Sequence, residues 1–177
     1  LCAVLIGIRS VSLLRSSTIS VMVMSPLYSI NITAELEQFL GEARDFTFQI
    51  YPIVGGGPVE TRKVNVAANG IASHVGIFQA ASSTYNLLLD SPSHLKRKKM
   101  LVLLIDGASI DFTDGGAQQL YTGDVDDDNA VTAGDVLQIA GTLRDTVGDG
   151  DLNNDGIVNG LDLTMAVANL GRTGDEL

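Results

Sequence analysis

The stretch DVDDDNAVTAGD, residues 124–135, returns 27 residues later as DLNNDGIVNGLD, residues 151–162. Both copies place oxygen-bearing side chains at positions one, three, five, nine and twelve, which is the ligand spacing of a twelve-residue calcium loop. The side-chain candidates are Asp124, Asp126, Asp128, Thr132 and Asp135, then Asp151, Asn153, Asp155, Asn159 and Asp162. At position seven, Ala130 and Ile157 would each offer a backbone carbonyl. The sequence therefore predicts two calcium ions.

Each loop is followed by apolar residues at helical spacing, so that loop and helix repeat together. The predicted faces are Val136, Ile139 and Leu143, then Leu163, Ala166 and Leu170. Position eight is Val131 in one loop and Val158 in the other, where paired loops would join through a short β-bridge. An acidic, solvated linker would not need two matched apolar faces. Seven residues, 144–150, separate Leu143 from the second loop. They leave no room for an entering helix, which disfavours a sensor that opens between two helices.

Charge divides the chain. Residues 1–120 carry nine acidic and nine basic residues, whereas residues 121–177 carry twelve acids against Arg144 and Arg172. The whole net charge of −10 therefore lies in the last third, where it argues against nucleic-acid binding. We predict a flanking segment at 1–28, a β-sandwich at 29–118 and a calcium-binding domain at 121–177.

Short β-prone runs fill the region between about residues 19 and 112. Several alternate apolar with polar residues, as at Phe46, Phe48 and Ile50, which favours an antiparallel sandwich of about seven strands. Asn69-Gly70 and Asp106-Gly107 suggest tight hairpins, and residues 55–58 (GGGP) supply a further turn. Only residues 33–44 could pass for a helix, and Gly41 interrupts them.

The same region shows no catalytic motif. No Gly-x-Ser-x-Gly elbow exists, residues 55–57 precede no Lys-Ser pair, and His74 and His94 lack metal-ligand spacing. The sequence therefore predicts a protein that is not an enzyme, with both histidines on the surface or on edge strands. The basic run 96–99 is expected to precede the most apolar strand and to protect it against aggregation.

The opening run LCAVLIGI, residues 1–8, is too short to span a bilayer. It is either the remnant of a secretory signal or an apolar strand or flank. Cys2 is the single cysteine, so an intrachain disulfide is impossible.

Residues 121–172 resemble type I dockerins, which share the duplicated loop and helix with Asp at position twelve; the second repeat matches closely in residues 150–171, GDLNNDGIVNGLDLTMAVANLG. The resemblance implies a small antiparallel helix pair, loaded with two calcium ions. It also implies docking of an enzyme or surface protein onto a cohesin, usually in extracellular polysaccharide-degrading assemblies. The partner-contacting positions ten and eleven, often Ser-Thr in the family, are Ala133 and Gly134, then Gly160 and Leu161. Asn129 replaces the glycine at position six, which should weaken calcium binding without abolishing it.

Residues 30–115 resemble β-sandwich spacers of the carboxypeptidase-regulatory or prealbumin-like kind, through FTFQIYPI, NVAANG and STYNLLLDSPSHLKR. That resemblance implies a non-catalytic module. Together the two parts indicate an extracellular, calcium-dependent docking fragment with a cohesin-like partner and no membrane span.

Two alternatives remain open. The calcium repeats could be a purely structural cap on the sandwich, which the altered positions ten and eleven favour. The sandwich could bind carbohydrate, although the chain has no Trp, and its aromatic residues, such as Tyr51 and Tyr85, mostly fall on strand faces. If folding of the small acidic domain depends on calcium, a chelator should melt its helices and leave the β signal of the sandwich.

Overall fold

The computed structural model describes residues 9–13, 17–21, 28–41, 43–67, 70–77, 83–146 and 148–177. The run at residues 1–8 lies outside this part. The described elements are β1 (Arg9–Leu13), β2 (Ser17–Val21), β3 (Tyr28–Thr33), β4 (Ala43–Tyr51), β5 (Glu60–Ala67), β6 (Ile71–Ile77), β7 (Ser83–Ser91), β8 (Ser93–Leu104), β9 (Ser109–Asp111), β10 (Thr122–Asp124), α1 (Ala133–Gly141) and α2 (Gly160–Asn169).

The fold is mostly β, as predicted. A five-stranded sheet of order β10-β8-β7-β4-β5 packs on a three-stranded sheet of order β6-β3-β9, while β1 and β2 pair with each other. Among the named strands of the described residues, only β3 and β9 pair in parallel; the other pairs are antiparallel. The two sheets form the predicted sandwich.

Alternation along β4 builds the core of the sandwich. Phe46, Phe48 and Ile50 are at most 1% exposed, and the Phe48 ring meets the Phe112 ring edge-on at a centroid distance of 6.5 Å. Each such side chain contributes about 1.5–3 kcal/mol through its burial. The strand pattern therefore fixes which face of β4 turns inward.

Of the predicted turns, the one at residues 55–58 is present and the hairpin at Asp106-Gly107 is not. Residues 55–58 do join the paired strands β4 and β5, and Val59 N donates to Ile50 O at 2.8 Å. The hairpin prediction at Asp106-Gly107 is wrong, because β8 and β9 belong to different sheets and the chain crosses between them there. Asn69 lies outside the described residues. Within the described part of residues 33–44 the chain forms no helix, since Leu36 makes an isolated bridge with Leu120.

Strand β8 differs from its prediction in two ways. The basic run 96–99 lies inside the strand rather than before it. His94, expected near the surface, is fully buried, and its Nδ1 atom lies 2.8 Å from Pro92 O. Burial, together with the positive charge of Arg44, lowers the pKa of His94 to about 3. The strand pairs with β10 at this point, through Thr122 opposite His94.

The last third of the chain continues directly from the sandwich, because β10 supplies the beginning of the first acidic loop. Helices α1 and α2 follow the two loops and have nine and ten residues. In the part of the chain that the structure describes, no helix has the length and apolar character needed to cross a membrane.

Candidate metal and docking site

The two acidic loops share a set of backbone-to-carboxylate hydrogen bonds. In the first loop Asn129 N donates to Asp124 Oδ2 at 3.0 Å, and in the second Gly156 N donates to Asp151 Oδ2 at 2.9 Å. Both pairs join position six to position one. Position four is left-handed in both, with φ of +60° at Asp127 and +58° at Asn154. The repeat seen in the sequence is therefore a repeat of backbone conformation.

Position twelve closes each loop. The Oδ1 atom of Asp135 accepts from Val125 N at 2.9 Å, and the Oδ1 atom of Asp162 accepts from Leu152 N at 2.8 Å. Their Oδ2 atoms accept the backbone N–H of position nine, at 2.8 Å in both loops. Burial opposes ionisation of Asp135, but these amide donors and the Thr132 hydroxyl lower its pKa below the ordinary value. Each carboxylate thus ties the start of its loop to the first turn of the following helix.

Position nine caps each helix. Thr132 Oγ1 accepts from Gly134 N at 3.0 Å, and Asn159 Oδ1 accepts from Leu161 N at 2.7 Å. Both residues form a capping box with the acid at position twelve. The sequence predicted Thr132 and Asn159 only as metal ligands. The patterns Thr-x-x-Asp and Asn-x-x-Asp are capping signals that could have predicted this second role.

The first loop gathers three carboxylates. One oxygen from each of Asp124, Asp126 and Asp128 lies within 4.8 Å of the others. Asp124 is 1% exposed, and its Oδ1 atom has no hydrogen-bond donor within the described residues. Burial raises the pKa of Asp124 to about 6, despite the bond from Asn129 N, and the neighbouring carboxylates add to the increase. A buried carboxylate oxygen without a donor, beside two further carboxylates, fits a hard cation.

The second loop has side-chain amides beside the carboxylate at position five. Asn153 Nδ2 and Asn159 Nδ2 donate to Asp155 Oδ2 at 3.2 and 3.1 Å. Asn153 replaces the carboxylate of Asp126, so positions one, three and five carry two negative charges rather than three. The side-chain oxygens of Asn153 and Asn159 accept from Asp155 N and Leu161 N, and each has a second lone pair that can face a cation.

Position seven is placed alike in the two loops. Ala130 N donates to Asp128 Oδ1 at 2.9 Å, and Ile157 N donates to Asp155 Oδ1 at 3.1 Å. The carbonyl of Ile157 also accepts from Asn159 Nδ2 at 3.1 Å. The predicted ligand residues are thus assembled in two turns of matching shape.

The predicted bridge between the loops is wrong. Val131 N donates to Arg172 O at 2.9 Å, in the segment after α2, while Val158 N donates to Asp145 O at 2.8 Å, in the segment after α1. Both valines are buried, because each lies under the end of the other repeat. The two repeats therefore interlock through their exits rather than loop to loop.

For each helix, the predicted burial of the apolar face is confirmed at its central residue and wrong at its last residue. Ile139 and Ala166 are fully buried, whereas Leu143 and Leu170 are 43% and 52% exposed. The helices end at Gly141 and Asn169, before these leucines can turn inward. Leu152 and Met165 complete the small core with Val158.

The outer faces of both helices carry no exposed charge. The only ionisable residues of α1 and α2 are Asp135 and Asp162, which are buried. Leu137 and Leu161 are 71% and 60% exposed, and Val167 is 52% exposed. The predicted partner-contacting residues all lie on this exposed surface, at the first turns of the helices: Ala133, Gly134, Gly160 and Leu161. These helix surfaces therefore lack charge within a segment that carries ten net negative charges.

The sandwich is hydrogen-bonded to the C-terminal third at several points that the sequence did not predict. Ser93 Oγ donates to Asp149 O at 3.0 Å, and Leu40 N donates to Asn153 O at 2.8 Å. Asn169 Nδ2 donates both to Glu37 Oε2 and, at 2.9 Å, to Thr122 O. Because these contacts join residues far apart in the chain, no local sequence pattern predicts them.

Searches against protein-family models and curated proteins gave no match. Solved structures gave similar folds, among them two chains from mutants of the type II cohesin–X-dockerin complex of Acetivibrio cellulolyticus. A chain from the mutant altered at the C-terminal interface has a TM-score of 0.60 and 18% identity, over 83% of this chain and 97% of that chain. A chain from the mutant altered at the N-terminal interface has a TM-score of 0.58 and 17% identity, with the same coverage. At this identity the likeness concerns the fold.

Proposed function

We propose that this chain is a non-catalytic, extracellular docking module in which two calcium ions order the loops and the uncharged faces of α1 and α2 receive a cohesin-like partner. The observation that carries the proposal is the pairing of matched oxygen-rich loops with helix surfaces free of exposed charge. Large apolar side chains such as Leu137 and Leu161 remain exposed there, and such patches mark protein interfaces.

Calcium binding is supported by the donor set. Hard oxygen ligands in a flexible loop suit calcium better than the softer transition metals. The buried Oδ1 atom of Asp124 and the crowding of three carboxylates leave the first loop in need of positive charge. Asp124, Asp126 and Asp128 would hold one ion, with Thr132, Asp135 and the Ala130 carbonyl. The second set would be Asp151, Asn153, Asp155, Asn159, Asp162 and the Ile157 carbonyl.

A docking role is supported by the complexes that contain the similar chains, since each pairs a cohesin with an X-dockerin. Such complexes also raise a second candidate. If the β-sandwich of this chain plays the cohesin part, its partner is a dockerin-type module. The loop and helix repeats favour the dockerin part for the C-terminal third.

The contacts between the sandwich and the loops support a third candidate, in which the calcium repeats are a structural cap without a partner. Glu37, Leu40 and Ser93 all reach the C-terminal third.

Calorimetric calcium titration of the wild type, Asp124→Ala and Asp151→Ala tests the metal proposal. We expect two sites in the wild type and one in each variant; a wild type without calcium heat would overturn it. Pull-down of the calcium-loaded chain against cohesin and dockerin panels tests the partner. Capture by cohesins that is lost in Leu137→Glu/Leu161→Glu supports the proposal, capture by dockerins supports the second candidate, and no capture by either supports the cap.

A further inference from the structure

Position six is a left-handed position at which the second loop has glycine and the first loop does not. The second loop has Gly156, and no atom lies within 4 Å of where its Cβ would be. The first loop has Asn129, 7% exposed and left-handed at φ +69°. A left-handed conformation costs an L-residue energy that glycine does not incur. Asparagine tolerates this conformation better than most L-residues, and here its side chain is also held by partners outside the loop.

The side chain of Asn129 joins two segments outside the loop. Its Oδ1 atom accepts from Lys96 N of β8 at 3.0 Å, and its Nδ2 atom donates to Asp175 O at 3.1 Å. Its backbone N–H donates to Asp124 Oδ2 at 3.0 Å, and its carbonyl accepts from Gly174 N at 2.9 Å. Asn129 therefore connects a predicted metal ligand, the sandwich and the C-terminal tail.

The tail is shaped to leave room for this side chain. A Cβ on Gly174 would lie 1.9 Å from Asn129 Oδ1 and 2.7 Å from Lys96 N. The tail is also held to the strand on its other side, because Asp175 N donates to Lys96 O and Lys98 N donates to Asp175 Oδ2, both at 2.9 Å. Glycine at 174 and asparagine at 129 thus fit each other.

We propose that Asn129 is a positioning residue that makes cation binding by the first loop depend on β8 and on the C-terminal tail, whereas the second loop binds without this support. The proposal rests on the proposed calcium function, for which Asp124 Oδ1, buried and without a donor, is the independent sign. Without a cation, the carboxylates of the first loop repel one another. The bonds of Asn129 exist in the closed loop, so they favour the conformation that binds the ion. By reciprocity, the ion strengthens the attachment of the tail and of β8.

The test is calorimetric calcium titration in the Asp151→Ala background, where heat reports the first loop. If only the backbone of the loop mattered, Asn129→Gly would bind calcium more tightly, because glycine removes the energetic cost of the left-handed conformation. Our proposal expects the opposite, a loss of roughly ten-fold in affinity from two lost hydrogen bonds. Gly174→Ala lies outside both loops and should weaken binding in the same way. Gly141→Ala, with open space around its Cβ, is the matched control and should leave the affinity unchanged.

Equal or tighter binding in Asn129→Gly, or unchanged binding in Gly174→Ala, would overturn the proposal. Absence of calcium heat in the Asp151→Ala background itself would instead overturn the proposed function of the first loop. A readout without variants is amide exchange in the wild type. Calcium should slow exchange of the Lys96 and Asp175 amides by about ten-fold or more, and equal rates with calcium and with chelator would contradict the coupling.

Discussion

The first and second acidic loops share the hydrogen bonds made by positions one, nine and twelve but not their surroundings. Asp124 lies on β10, within the larger sheet of the sandwich, and is buried, whereas Asp151 is half-buried and follows a turn. Asn129 is bonded to β8 and to the tail, whereas Gly156 is exposed. The same twelve-residue pattern therefore begins within a strand of the sandwich in one copy, whereas in the other it follows a turn and is bonded to the sandwich through Leu40 N and Asn153 O. Local sequence sets the shape of a loop, and its neighbours set how far a change in it spreads.

The largest expected effect is the loss of stability when either calcium site is removed. The two loops should differ in whether the sandwich is destabilised as well. At calcium a thousand-fold above the dissociation constant, each ion adds about 4 kcal/mol to the free energy of unfolding. Asp124→Ala and Asp151→Ala should each lose about this amount. Only Asp124→Ala should also lower the melting temperature followed by the β signal in circular dichroism, because β10 pairs with β8. The same change of the β transition in both variants would show that the loops are equivalent. For the same reason, we now expect a chelator to destabilise the sandwich together with the helices.

The next effect concerns the small core under the helices. Ile139→Ala should destabilise the chain by about 2–5 kcal/mol, because Ile139 is fully buried. Leu143→Ala is the matched control beyond the end of α1 and should cost less than about 0.5 kcal/mol. Urea unfolding in saturating calcium measures both. A larger loss in Leu143→Ala would restore the longer helix that the sequence predicted.

The free energy of unfolding should depend on pH through His94, which lies beside β10 on the sandwich side of the first loop. The folded pKa of about 3 is below the ordinary 6.5, so the unfolded state binds the extra proton between these values. Stability is therefore lost as the pH falls below about 6.5, by roughly 2 kcal/mol at pH 5. His94→Gln should lose less stability than the wild type between pH 7.5 and 5, measured by urea unfolding in saturating calcium. His74→Gln, exposed on β6, should behave as the wild type; equal pH dependence of all three proteins would exclude this role for His94.

The smallest effect compares the helix caps. Thr132→Ala and Asn159→Ala should each cost about 1 kcal/mol or more, because each removes the acceptor for an N-terminal amide of its helix and, under the proposed function, also a calcium ligand. Gln138→Ala, on the exposed side of α1, is the control. Thermal melts in saturating calcium measure the loss. A near-zero cost in Thr132→Ala alone would show that contacts from the sandwich hold α1 in place of its cap.

Much of this arrangement could be predicted because it is local. The spacing of oxygen side chains, the alternation of Phe46 and Phe48, and the periodicity around Ile139 each act within a few residues, as turns, strands and helices do. The predictions failed where distant segments decide. Val131 pairs with Arg172 rather than with Val158, and His94 is buried because β10 lies beside it.

The sequence by itself determined the duplicated loops, the mostly β first part and the concentration of negative charge in the last third. The tertiary structure alone decided that Asn129 joins the first loop to Lys96 and Asp175, across 33 and 46 positions of the chain. The physical reason is that a hydrogen bond depends on distance and direction in space, and a loop pattern carries no information about which strand or tail comes to lie beside it.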